Sequence, residues 1–240
     1  MHSAALFSAH LTFVNVVDNA DHGEFDKTYV MTRVFALKAE GEAILKKVAN
    51  TAKAADADFE TKLIEGVPWM VLSDLTKECD MMIISITGNS SFGSGKIGAT
   101  ACKVIENAYC PVLTLKSGSH RIEKVLLPVN SENLPAIDLA IETTKRIGGK
   151  LTILCVDSKD IDAEHLVNSI GEKAKEAGVE YDTKITTGNP ALVISAMSGT
   201  YDLVVMGTEG RTGLKKALKG STAEKVMLNS SCPVTIVRNT

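Results

Sequence analysis

The feature that most constrains this chain is that it repeats itself. Displaced by 122 positions, residues 59–112 fall on residues 181–234 without a gap. Thr61-Lys62 falls on Thr183-Lys184, Gly66 on Gly188, Pro68 on Pro190 and Asp80 on Asp202. Gly88 meets Gly210, Gly98 meets Gly220, Thr100 meets Thr222, Lys103 meets Lys225 and Asn107 meets Asn229. Cys110-Pro111-Val112 meets Cys232-Pro233-Val234. Chance does not sustain one register over such a length, so the chain holds two copies of one folding unit. Their expected bounds are 1–118 and 121–240, with Ser117-Gly118-Ser119 as linker.

The second copy reads as strands alternating with helices. Lys124 to Val129 is an apolar strand, and Pro135 to Ile147 has helical periodicity, with Ala136, Leu139, Ala140, Thr143 and Ile147 on one side. Gly148-Gly149 ends that helix. Leu151 to Val156 is a second strand, Ala163 to Ala177 a helix stopped at Gly178, and Tyr181 to Thr186 a third strand. A helix follows from about Ala191 to Met197. Leu203 to Met206 and the run after Cys232-Pro233 supply strands four and five. Such alternation predicts an α/β fold with a parallel sheet covered by helices on both faces. Ligands of these sheets sit beyond the carboxyl ends of the strands, where Asn130, Val156 and Gly207 all fall.

After the fourth strand the glycines are spaced Gly207-x2-Gly210-x9-Gly220-Ser221. Glycines following a strand allow tight bends and close approach to a ligand, and a helix start offers unpaired N–H groups to an anion. The chemistry suggested is a phosphate cradle. The same residues also read as loop punctuation and a capping box, Ser221-Thr222-Ala223-Glu224. This segment is not a Walker motif, since no Gly-Lys-Ser/Thr follows its glycines, nor the tighter G-x-G-x-x-G fingerprint, and the chain has no G-x-S-x-G elbow.

This segment resembles the nucleotide-binding signature of the universal stress protein family, Gly-x2-Gly-x9-Gly-Ser/Thr between the fourth and fifth strands. The ending Cys232-Pro233-Val234-Thr235-Ile236-Val237 is also similar to that family's last strand. The resemblance implies two tandem Rossmann-like units of the adenine nucleotide alpha hydrolase-like type, each a parallel five-stranded sheet. It implies an adenine nucleotide, ATP or AMP, with or without magnesium, and no catalytic residue. Val129, Asn130 and Val156 would lie near adenine and ribose, Gly207 under the ribose, and Gly210, Gly220, Ser221 and Thr222 at the phosphates, with Pro128, Met206 and Arg211 as further residues of the nucleotide site. Asn130 stands where the family usually has Asp, and keeps a hydrogen-bonding side chain without the charge. Glu209 adds a carboxylate to the loop, against Arg211, Lys215, Lys216 and Lys219. The function implied is a nucleotide-binding stress or signalling module. The alternatives are an interaction scaffold of the same fold and a slow ATP hydrolase.

The first copy departs from this pattern. Ser85 replaces the first glycine, Ala99 the serine, and Cys102 stands where Glu224 closes the capping box. Leu11 to Val16 corresponds to Leu151 to Val156, with only ten residues before it, so a counterpart of strand 124–129 is expected to be missing. An upstream start or a segment donated by a partner chain are the two ways to fill that gap. Tyr29 to Ala55 reads as mostly helical. The fifth strands, Val112 to Leu115 and Val234 to Val237, need edge partners, and their pairing would join the copies as a pseudo-dimer within the chain; a homodimer is a further option.

Address and partner class follow from composition. Hydrophobic residues make up 45% of the 240, enough for a core in each copy, and the net charge of −3 argues against a nucleic-acid binder. No stretch is apolar enough for a membrane helix, and the amino terminus lacks the basic start of a signal peptide. The five cysteines form no C-x-x-C pair and read as buried thiols of a cytoplasmic protein. The five histidines are scattered, so no metal site is expected.

Overall fold

A computed structural model describes residues 9–19, 27–86, 97–115, 121–132, 134–156, 162–208 and 221–238. The chain divides into two compact units, Met1–Leu75 and Thr76–Thr240.

The first unit runs β1 (Leu11–Val17), α1 (Lys27–Ala54), β2 (Phe59–Glu65), α2 (Pro68–Leu75). β1 and β2 pair in parallel, from Leu11 opposite Phe59 to Val17 opposite Glu65, as a crossover through a helix requires. Val17, Leu45 and Ala52 are buried, and the rings of Phe13 and Phe59 lie 6.0 Å apart. At Gly41 the helix backbone comes down onto the strands. A Cβ there would stand 2.6 Å from the Asn15 side-chain oxygen and 2.7 Å from a Leu63 methyl.

The second unit holds β3 (Met82–Ser85), α3 (Ala99–Asn107), β4 (Val112–Leu115), β5 (Lys124–Val129), α4 (Pro135–Ile147), β6 (Lys150–Val156), α5 (Ala163–Glu176), β7 (Glu180–Thr186), α6 (Pro190–Met197), β8 (Leu203–Thr208), α7 (Thr222–Asn229) and β9 (Val234–Arg238). Its seven strands are ordered β3-β4-β9-β8-β5-β6-β7. Alternation within the strands feeds two cores. Val125, Leu127, Val129, Leu151, Ile153, Cys155, Leu203 and Val205 pack with α4 and α5 residues on one face. Leu126, Leu154, Val204, Met206, Val234 and Ile236 pack with α6 and α7 residues on the other. Helices on both faces of a mainly parallel sheet are the expected α/β architecture.

The helix α4 is rotated from the face read in the sequence. Its buried residues are Ala136, Ile137, Ala140, Ile141 and Thr144, whereas Leu139, Thr143 and Ile147 are half-buried. Thr144 can be buried because its hydroxyl donates to the Ala140 carbonyl at 2.7 Å.

The repeat is visible in matching contacts. Gly66 and Gly188 both take positive φ, +152° and +126°, in the turn before α2 and α6, a conformation other residues rarely adopt. Asn107 Nδ2 donates to the Lys103 carbonyl at 2.7 Å, and Asn229 to that of Lys225 at 2.7 Å. The fifth strands meet: β4 pairs antiparallel with β9, with Val112 opposite Ile236, Leu113 opposite Thr235 and Thr114 opposite Val234. Leu113 and Thr235 are equivalent positions, so a local two-fold axis passes between them and the contact is self-complementary.

The first copy divides between the compact units, with β1 and β2 in one and β3 and β4 in the other. In the second copy β5 is central, pairing with β6 on one edge and β8 on the other. Among the described residues the first copy has no strand in that role. Asp202 shows what such a strand receives: its Oδ2 accepts the backbone N–H groups of Glu123 at 3.0 Å and Lys124 at 2.8 Å, tying the start of β8 to the start of β5. Residues 1–8 and the linker Ser117-Gly118-Ser119 lie outside the described residues.

Candidate functional site

The described site residues of β5, β6 and β8 gather at one end of the sheet because β8, β5 and β6 are adjacent and parallel. Pairing of β5 with β6 runs its whole length, to Val129 opposite Cys155. Pairing with β8 covers only Val125 opposite Leu203 and Leu126 opposite Val204. The last three residues of β5 therefore separate from β8, which itself continues to Thr208. Pro128 lies in this stretch and has no N–H to give to a ladder. The carboxyl ends of β5 and β8 flank the point where the strand order reverses direction, which is where sheets of this kind take their ligands.

The residues named from the sequence are distributed around it as follows. Pro128, Val129 and Met206 are buried, with Val129 in the core under α4 and α5 and Met206 in the core under α6 and α7. Asn130 is exposed at the end of β5, Val156 is half-buried at the end of β6, and Gly207 is half-buried in β8. Ser221 is the N-cap of α7, its Oγ accepting the Glu224 N–H at 3.0 Å, and Thr222 is the helix's first residue. Since β8 and β9 are parallel, the crossover helix α7 returns from the same end of the sheet. Gly210, Arg211 and Gly220, with Glu209, Lys215, Lys216 and Lys219, lie outside the described residues.

Sequence reasoning missed Leu134. It precedes Pro135 as the N-cap of α4 and is buried. A Cβ placed on Gly207 would lie 3.4 Å from Leu134 Cδ2 and 3.8 Å from Ala136 Cβ, ordinary contact distances. Among the described residues, nothing in the protein's own packing requires a glycine there. The available signal was an apolar residue directly before a helix-starting proline.

The first copy lacks the corresponding cap. The helix α3 has Gly98 at its N-cap, with no side-chain hydrogen bond, because Ala99 stands where Ser221 does. Cys102, in the place of Glu224, has its sulfur 3.8 Å from Glu106 Oε1 instead.

The sequence pattern of the universal stress protein family matches the chain twice, over residues 1–116 and 121–238. The chain belongs to the universal stress protein family. Universal stress protein Rv2005c of Mycobacterium tuberculosis is 24% identical over 264 aligned positions, which take in 98% of this chain and 89% of that one. Universal stress protein MJ0531 of Methanocaldococcus jannaschii is 39% identical over 79 residues, 32% of this chain and 46% of the relative. That match spans less than half the relative's own length. The crystal structure of a universal stress protein from Archaeoglobus fulgidus shares the fold, with a TM-score of 0.81 at 21% identity, covering 96% of this chain and 86% of that chain. Solved members that match about half of this chain include one in complex with cAMP (22% identity, TM-score 0.45) and one from Arabidopsis thaliana with AMP bound (22%, TM-score 0.40). The tandem arrangement of universal stress units thus extends over nearly the whole sequence. Among the described residues no helix is long and apolar enough to cross a membrane.

Proposed function

We propose that this universal stress protein binds one adenine nucleotide per chain, ATP or AMP, in its second copy, and acts as a nucleotide-dependent stress or signalling module. The observation that carries the reading is the early end of pairing between β5 and β8 at the point where the strand order reverses, with Asn130, Val156 and Gly207 at the neighbouring strand ends. Asn130 and Val156 would flank base and ribose, and Gly207 would let the sugar approach. Ser221 and Thr222, with Gly210, Arg211 and Gly220, would hold the phosphates. Fit to such a group is supported by Gly207, whose missing side chain is unexplained by packing among the described residues. It is supported again by α7, whose first-turn N–H groups have no carbonyl partners within the helix and favour an anion. Hydrogen bonds to a charged phosphate contribute roughly 1.5–3 kcal/mol each. A few of them suffice for micromolar binding, about −8 kcal/mol.

Titration calorimetry of ATP and AMP into nucleotide-free full-length protein tests this. One site per chain is expected, abolished by Gly220→Val and unaffected by Gly98→Val. Two equivalent sites, or loss with Gly98→Val and retention with Gly220→Val, overturns the assignment. No binding of either nucleotide would leave the scaffold reading.

A further inference from the structure

We propose that Cys79 and Cys110 form an oxidisable dithiol in which peroxide attack at Cys79 is resolved by Cys110 into a reversible disulfide. The two sulfurs are 3.6 Å apart. Cys79 is exposed in the turn before β3, and Cys110 is buried at the turn before β4. The sequence predicts buried thiols, and Cys79 departs from that because its segment is a surface turn rather than part of a strand.

The segments carrying the pair are held in register by backbone contacts. Met82 N donates to the Pro111 carbonyl at 3.0 Å, and Tyr109 N donates to Thr76 Oγ1 at 3.0 Å. The Lys77 ammonium lies 5.0 Å from the centre of the Tyr109 ring. The second copy repeats this frame. Val204 N donates to the Pro233 carbonyl at 3.0 Å, and Ser231 N to Ser198 Oγ at 2.8 Å. Yet Tyr201 occupies the place of Cys79, so the second copy offers one sulfur where the first offers two. Facing thiols are therefore not a by-product of the turn geometry shared by the copies.

The difference in exposure assigns the roles. Burial, and then the neighbouring Cys79 sulfur, push the Cys110 thiol up to about 12, so it is a poor first nucleophile. The Cys79 thiolate attacks a peroxide oxygen: an S–O bond forms, the O–O bond breaks, and the departing hydroxide takes up the proton lost by the thiol. The Cys110 sulfur then attacks the Cys79 sulfenic sulfur. The S–S bond forms as the S–O bond breaks, and the second hydroxide leaves as water with the Cys110 proton. Two thiols lose two electrons and two protons, and the peroxide becomes two waters. A disulfide requires about 2.05 Å between the sulfurs, so the side chains close by roughly 1.5 Å.

The test uses reduced full-length protein treated with hydrogen peroxide, then alkylated in denaturant and mapped by peptide mass spectrometry. Alkylatable thiols should fall from five to three, with a peptide linking Cys79 to Cys110 that dithiothreitol reverses. In Cys110→Ala, Cys79 should stop at the sulfenic acid and be trapped by dimedone. In Cys79→Ser, Cys110 should remain alkylatable. Wild-type protein in which Cys79 is trapped by dimedone or over-oxidised, with no linked peptide, overturns the proposal. So does wild-type protein in which Cys79 stays reduced while other thiols oxidise. Both of these readouts stand without the variants.

Discussion

Gly207→Ala separates the two reasons a glycine can occupy the end of β8. If packing sets it, a methyl group should be costly. The distances say otherwise: the added Cβ would meet Leu134 Cδ2 at 3.4 Å and Leu134 Cδ1 and Ala136 Cβ at 3.8 Å, and Gly207 is not among the positive-φ glycines. Replacing glycine by alanine where the backbone permits it stabilises by about 0.4–1 kcal/mol through the unfolded chain. The expected change in unfolding free energy is thus between zero and that gain, read from urea denaturation. If the missing side chain admits a sugar, the same methyl group overpacks the bound state, at about 1–3 kcal/mol. That is roughly a five- to 150-fold rise in Kd, read by calorimetry with ATP or AMP. Gly149→Ala is the contrasting control, because its Cβ would stand 2.4 Å from the Glu123 carbonyl oxygen. It should lose at least about 1 kcal/mol of stability while the folded fraction binds normally. Unchanged affinity in a fully stable Gly207→Ala protein would remove the ends of β5 and β8 as the binding site. A large loss of stability would show that the glycine serves packing.

Three further outcomes are expected. Asp202→Ala should cost about 1–2 kcal/mol by stranding the Glu123 and Lys124 amides, whereas Asp80→Ala should stay within roughly 0.5 kcal/mol, both by urea denaturation. Under reducing conditions the raised Cys110 thiol stays protonated in the folded chain while the unfolded chain ionises. Its contribution is complete below pH ~9 and lost as pH rises towards about 12, so the urea midpoint of wild type should fall faster over that window than that of Cys110→Ala. Oxidation that links Cys79 to Cys110 should raise the melting temperature. Closing that loop is worth about 3–4 kcal/mol of unfolded-state entropy. At about 2–4 °C per kcal/mol the shift is roughly 6–16 °C by calorimetry, and dithiothreitol should abolish it.

The elements of the second copy were legible because each carries its own punctuation. Pro135 and Pro190 open helices, Gly148 and Gly178 follow the ends of two, and the strands are short apolar runs. The repeat made the first copy legible by transfer, and Pro68 does start α2 as Pro190 starts α6. The phase of α4 was not legible. Apolar residues at Ile137, Leu139 and Ile141 surround much of the helix, so periodicity identified a helix without fixing which stripe faced inward. The exposure of Cys79 was also hidden, because a cysteine beside an apolar run looks the same whether its turn is covered or not. The glycine spacing pointed to the end of β8, but not to the early separation of β5 from β8. That depends on pairing between segments far apart in sequence, with Pro128 as the one local sign.

Because β4 and β9 lie in one chain, their pairing is unimolecular. The connection between them through residues 116–123 into β5 keeps the partner edge at an effective concentration in the millimolar range, roughly, whatever the dilution of the protein. Two separate subunits meeting through the same edge would come apart as their concentration fell, and each would have to keep its own fold and its own ligand to remain competent. Here the second copy supplies the partner edge by covalent linkage. The first can therefore give up its cap and its first cradle glycine, and carry a pair of facing thiols, without loosening the contact that holds β4 in the sheet.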